Sequence, residues 1–133
     1  MLRPMAVRCL IVDDNPQFLE VARELLDREG IAVVGVASTG AEALERADEL
    51  RPEVMLVDID LGDESGFDVA QRLAAAADGG ARVILISTYA ETDFADLIAA
   101  SPAVGFLSKS DLSASAISGI LESTSGEGRS GRR

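Results

Sequence analysis

With 133 residues, 47% of them hydrophobic, the chain is long enough for one domain around a single core and short for two. No apolar run approaches the ~20 residues of a membrane span and the N-terminus lacks a signal-peptide pattern, so a cytoplasmic protein without a membrane partner is expected. A net charge of −11 opposes direct nucleic-acid binding, and one cysteine (Cys9) with no histidine excludes an internal disulfide and a Cys/His zinc site, so any metal has to be held by oxygen.

In chain order, Val7 to Val12 is an apolar run that ends at Asp13, Asp14 and Asn15, the pattern of a buried strand entering a polar loop. Asn15 suits an N-cap and Pro16 a first helical position, with Phe18, Leu19, Ala22, Leu25 and Leu26 at helical spacing up to Gly30. Val33 to Ala37 reads as a second strand, and Thr39-Gly40-Ala41-Glu42 has capping-box spacing ahead of a helical stripe that stops before Pro52. Val54 to Val57 delivers Asp58, followed by a turn-like Gly62-Asp63-Glu64-Ser65-Gly66 and a helix carrying Phe67, Ala70, Leu73, Ala74 and Ala77. Arg82 to Ile86 leads into Ser87 and Thr88, and Thr92 is placed to cap a short helix with Leu97 and Ile98. Val104 to Leu107 leads to Lys109, with Ser110 expected to cap a last helix bearing Leu112, Ala116, Ile117, Ile120 and Leu121. Residues 1–5 are expected as an N-terminal extension, residues 6–122 as the domain, and residues 123–133, which offer nothing apolar to bury, as a disordered tail.

Alternating short apolar strands and amphipathic helices predict an α/β fold, a doubly wound five-stranded parallel sheet flanked by five helices. Ligands of such sheets bind beyond the carboxyl ends of the strands. The polar residues fall there: Asp13 and Asp14 after strand one, Asp58 after strand three, Ser87 after strand four and Lys109 after strand five. Taken singly, Asp13 and Asp14 suit a helix entrance and Asp58 or Ser87 a turn. Together they form a cluster that needs compensation, since two carboxylates ~4 Å apart repel by roughly 4 kcal/mol at an effective dielectric of ~20. Hard oxygen ligands without histidine favour Mg²⁺. Lys109 adds positive charge, Ser87 a donor and an aspartate a nucleophile, a set suited to an incoming phosphoryl group.

Asp13-Asp14, Asp58, Ser87 and Lys109, in this order over residues 6 to 122, resemble the receiver domain of response regulators, the CheY-like family with a flavodoxin-like fold. The resemblance implies strand order 2-1-3-4-5 and a phosphoacceptor at Asp58, served by a histidine kinase or phosphotransfer protein. It further implies Mg²⁺ on Asp14, Asp58 and the main-chain carbonyl of Asp60, with Asp13 acting through water, and Ser87 and Lys109 on the phosphoryl oxygens. Phe106 takes the place of the family's aromatic switch, and Val104 to Lys109 is similar to receivers that carry helix-turn-helix output domains. No output domain is legible in this sequence, so the expected outlet is a downstream protein target, or a homodimer, through helix four, strand five and helix five. The implied role is that of an acceptor in signalling, not a turnover enzyme.

The sequence departs from the family pattern at Ser110, where a proline commonly follows the lysine, and at Leu61-Gly62, where a residue-proline pair is frequent, which predicts a looser loop after Asp58. Thr88 is bulkier than usual and predicts narrower access, and Asp60 and Tyr89 occupy positions that in this family tune dephosphorylation. Asp58-Ile59-Asp60-Leu61-Gly62 also resembles the nucleophile motif of haloacid-dehalogenase-type phosphatases, but that family's further acids follow its lysine, and a substrate cap has no room here. A second alternative is a receiver-like interaction module whose output ignores phosphate.

Overall fold

A computed structural model describes residues 6–77 and 81–130. In chain order they form β1 (Arg8–Val12), α1 (Pro16–Arg28), β2 (Ala32–Ala37), α2 (Gly40–Leu50), β3 (Val54–Asp58), β4 (Asp60–Leu61), β5 (Glu64–Ser65), α3 (Gly66–Ala77), β6 (Arg82–Ser87), α4 (Ala95–Ala100), β7 (Gly105–Ser108) and α5 (Ala114–Ser130). The five long strands make one sheet in the order β2-β1-β3-β6-β7, with every pair parallel. This is the doubly wound order expected, the tiny antiparallel β4–β5 hairpin merely shifting the strand numbers.

Strand alternation divides the core into two layers. Leu10, Val12, Met55, Val57, Val83 and Leu85 point to the side of α2 and α3, where they meet Ala43, Val69, Ala70 and Leu73. Cys9, Ile11, Val54, Leu56, Ile84 and Ile86 point the other way, onto Ala22 and Leu26 of α1 and Ile117 of α5. β1, β3 and β6 are buried on both faces, which is why they read as unbroken apolar runs rather than alternating ones. Truncating a fully buried leucine such as Leu56 to alanine costs about 2–5 kcal/mol in a core of this kind.

Helix starts follow the sequence in two places. Asn15 Oδ1 accepts from Gln17 N at 3.0 Å and Phe18 N at 3.3 Å, ahead of Pro16. Thr39 Oγ1 accepts from Glu42 N at 3.1 Å, while the Glu42 carboxylate reaches back one residue further, to Ser38 N at 2.7 Å.

The other two caps need correction. Thr92 lies inside a 3-10 turn, Glu91–Phe94, that starts without a side-chain cap. Ser110 likewise lies inside a 3-10 turn, Lys109–Asp111, so the chain enters α5 later and Ser113 Oγ takes the cap, accepting from Ala116 N at 3.0 Å. Among the described residues no peptide is cis, the Lys109–Ser110 bond included. α5 is described through Ser130, past the residue at which the tail is expected to begin. Once a helix is nucleated, each further residue gains a backbone hydrogen bond without needing an apolar face. Residues 1–5, expected as an extension, and 131–133, expected in the tail, lie outside the described residues.

Candidate functional site

The carboxyl ends of β1, β3, β6 and β7 lie side by side in the sheet, so Asp13, Asp58, Ser87 and Lys109 meet at one edge. Asp13 continues β1, its N–H donating to Ala37 O at 2.9 Å, and Asp58 is the last residue of β3, in register with Ile86. Asp13 is fully buried and Asp58 nearly so, whereas Asp14 is exposed. Carboxylate oxygens of all three lie within 4.8 Å of one another.

Lys109 Nζ sits between the two buried acids, 2.6 Å from Asp13 Oδ2 and 3.1 Å from Asp58 Oδ2. Its other neighbour is the ring of Phe18, with Nζ 4.4 Å from the centroid, a cation–π contact on a largely desolvated ammonium. Burial by itself lowers the Lys109 pKa, but its hydrogen bonds and charge attraction to Asp13 and Asp58 outweigh this, and the net shift is upward. The lysine is therefore a fixed cation at neutral pH.

Asp58 is pushed up to about 6, first by burial and further by the Asp13 charge, against the Asp60 N–H and Lys109, which favour its ionised form. Its Oδ1 accepts from Asp60 N at 3.1 Å, leaving Lys109 on the other oxygen. Asp13 Oδ1 accepts from Asn15 N at 2.9 Å, but Asp13 Oδ2, apart from its ion pair with Lys109, has no directional hydrogen bond among the described residues.

Three carboxylates against one ammonium leave an excess of negative charge, and the buried Asp13 Oδ2 has Lys109 as its one partner among the described residues. A divalent cation answers that excess, and a donor set made of carboxylates, without histidine or cysteine, selects a hard ion of the Mg²⁺ type. The residues present therefore fit the metal expected from the sequence.

The other expected residues are placed less directly. Ser87 is buried, and its Oγ accepts from Tyr89 N at 2.9 Å, which leaves the hydroxyl proton to donate. Thr88 is exposed. The exposed Tyr89 ring lies 6.1 Å from Phe94, and Phe94 in turn 6.3 Å from Phe67. Asp60 lies in β4 opposite Ser65, its Oδ1 accepting from Gly62 N at 3.1 Å. Phe106 pairs in register with Leu85 and packs, half-buried, against the core layer of α2 and α3.

The loop after Asp58 is not looser, contrary to the expectation from Leu61-Gly62. It folds into the β4–β5 hairpin with Leu61 buried in the core and Gly62 at φ +76°, in the left-handed region that glycine enters without penalty. A β-carbon on Gly62 would also lie 3.0 Å from Asp14 Oδ2, so the turn sits against the acidic cluster. Phe18 was not singled out as a site residue by sequence reasoning, although it falls in the first turn of α1, just after the Asp13-Asp14 loop.

Residues 9–117 match the family model of the response regulator receiver domain, and the chain belongs to that family. It is 38% identical over 86 residues to a protein-glutamate methylesterase/protein-glutamine glutaminase 5 of Myxococcus xanthus, covering 64% of this chain and 24% of that protein. Its fold is similar to a two-component response regulator of the LuxR family from Aurantimonas sp. SI85-9A1, with TM-score 0.77, 28% identity, and 91% and 86% of the two chains covered. It is similar as well to a response regulator protein from Burkholderia pseudomallei solved with a phosphorylated aspartic acid, calcium ion and citrate, with TM-score 0.76, 27% identity, and 93% and 71% covered. The chain spans about half or less of the length of the curated relatives it matches.

Proposed function

We propose that this receiver domain, spanning residues 6–122, accepts a phosphoryl group on Asp58 from a histidine kinase or phosphotransfer protein and signals to a partner protein through a change in its surface. The observation that carries the reading is Lys109 held between two buried carboxylates, Asp13 and Asp58, with a third, Asp14, beside them. Asp14, Asp58 and the Asp60 carbonyl would hold Mg²⁺ directly in this reading, with Asp13 acting through water. When bound, the ion neutralises phosphoryl oxygens and aligns the donor.

A carboxylate oxygen of Asp58 attacks phosphorus; the new O–P bond forms as the N–P bond of a phosphohistidine breaks, and the imidazole nitrogen keeps the bonding pair. Lys109 trades its contact with Asp58 for a phosphoryl oxygen, and Ser87 turns its free hydroxyl proton to another. Both moves displace the loops after β6 and β7, and Phe106 turns inward with them. Taking a switch from about 1:99 to 99:1 needs roughly 5.5 kcal/mol, a scale within reach of a few charge-assisted contacts.

The outlet is a downstream protein, or a homodimer, using α4, β7 and α5. The acidic chain makes direct nucleic-acid binding unfavourable. No helix among the described residues is long and apolar enough to cross a membrane, and the reading places the domain in the cytoplasm. The role is that of an acceptor with slow autodephosphorylation.

Intact-mass analysis after incubation with acetyl phosphate and Mg²⁺ tests the reading. A gain of one phosphoryl group is expected, lost with EDTA and lost in Asp58→Asn. No gain in the wild type would favour the phosphate-independent module, and labelling retained in Asp58→Asn would move the acceptor elsewhere.

A further inference from the structure

Glu64, in β5, has no role in the site as drawn above, yet its carboxylate joins three elements. Oε2 accepts from Gly40 N at 2.9 Å, at the first residue of α2, and Oε1 pairs with Arg72 Nη2 of α3 at 3.3 Å. A carboxylate is favoured at a helix N-terminus, where amides lack intrahelical partners and the helix dipole is positive. Gly40 is what lets it approach: a β-carbon there would fall 2.5 Å from Glu64 Oε1 and 2.9 Å from Val69 Cγ2.

The far end of the same hairpin forms one wall of the acidic cluster. Asp60 N holds Asp58 Oδ1, Gly62 abuts Asp14 Oδ2, and Leu61, paired with Glu64 across the hairpin, is buried. Two-residue strands have little stability of their own. The base of the hairpin is closed by Gly66 N donating to Ile59 O at 2.8 Å, and the Glu64 contacts add a tie near the turn, next to Gly62.

We propose that Glu64 is a positioning residue for the metal site, clamping the hairpin to α2 and α3 so that Asp60 and Gly62 stay in place around Asp58 and Asp14. The inference rests on the proposed function, because it concerns Mg²⁺ at that site.

The test is isothermal titration of the full chain with MgCl₂, alongside thermal melting in EDTA and acetyl phosphate labelling across Mg²⁺ concentrations. Glu64→Ala is expected to weaken Mg²⁺ binding roughly tenfold, the scale of lost support behind a metal ligand, while labelling at saturating Mg²⁺ falls far less. Gly40→Ala is the second variant: its β-carbon would fall on Glu64, Val69 and Arg72 together, displacing the Glu64 carboxylate, so it is expected to weaken Mg²⁺ in the same direction. Should Glu64→Ala fail to fold, Glu64→Gln takes its place: it keeps an acceptor for Gly40 N, loses the ion pair with Arg72, and is expected to bind Mg²⁺ more weakly than the wild type. Unchanged Mg²⁺ affinity in the variants, with or without a lower melting temperature, overturns the proposal and leaves Glu64 a structural staple. A wild type that binds no Mg²⁺ overturns both this inference and the metal site, whereas a wild type labelled normally beside variants of equal Mg²⁺ affinity overturns this inference alone.

Discussion

The loops that follow β3 and β6 flank the same pair of carboxylates and are built on opposite plans. After β3 the chain makes a paired hairpin, buries Leu61, fixes Asp60 to Asp58 and Gly62, and ties Glu64 to two helices. After β6, Ser87 holds Tyr89 N, a 3-10 turn follows with no side-chain cap, and α4 is six residues long with no buried residue. Tyr89 and Leu97 stand 57% and 54% exposed there. Regions with few buried apolar contacts open at low free-energy cost, and regions anchored in the core do not. One side of the carboxylate pair is thus anchored in the core, and the other is inexpensive to rearrange.

The largest expected break in this contrast comes from truncating one leucine on each side. In EDTA, Leu61→Ala is expected to lower stability by about 3 kcal/mol, seen in chemical denaturation, while Leu97→Ala stays within ~0.5 kcal/mol. Equal effects would remove the asymmetry.

Next in size is Asp58 itself. Its carboxyl is raised from 3.8 to about 6, mainly by burial, so the folded state favours the protonated form. That favourable contribution is complete below about pH 4 and is lost as pH rises through 6, leaving the ionised carboxylate a burden at pH 7.5. Asp58→Asn is therefore expected to stabilise the metal-free protein by roughly 1–2 kcal/mol at pH 7.5 and by almost nothing at pH 4. Melting curves at the two pH values check it, and a gain of the same size at both would refute the assignment.

The smallest effect sharpens the picture at the entry to α5. Ser113→Ala is expected to cost about 1 kcal/mol, against ~0.5 kcal/mol or less for Ser110→Ala or Thr92→Ala, by the same denaturation measurement.

Those last three residues also mark where sequence reading runs out. Strand ends are legible because a strand buried on both faces is an unbroken apolar run, and a run that stops on Asp13, Asp58 or Ser87 marks its own carboxyl end. Strand order came from family resemblance rather than from the runs themselves. Caps are legible where one hydroxyl or amide stands before the stripe, as at Asn15 and Thr39. Near α5 three serines, Ser108, Ser110 and Ser113, compete, and an intervening 3-10 turn decides among them. The contact of Glu64 with Gly40 spans 24 residues and exists only once α2 and α3 are packed together, so no local pattern announces it. The same holds for Phe18 beneath Lys109, 91 positions later in the chain.

Cys9 lies fully buried in β1, four residues before Asp13, with its thiol pushed up to about 12 by burial. Thiol reagents attack the thiolate, and at pH 8 that form is on the order of one part in ten thousand even before access is considered. Modification therefore has to wait for β1 to leave the centre of the sheet. With no second cysteine in the chain to confuse the signal, the rate of thiol modification is an internal clock for opening of the core, and slowing of that clock by added Mg²⁺ would read out metal binding without any label being introduced.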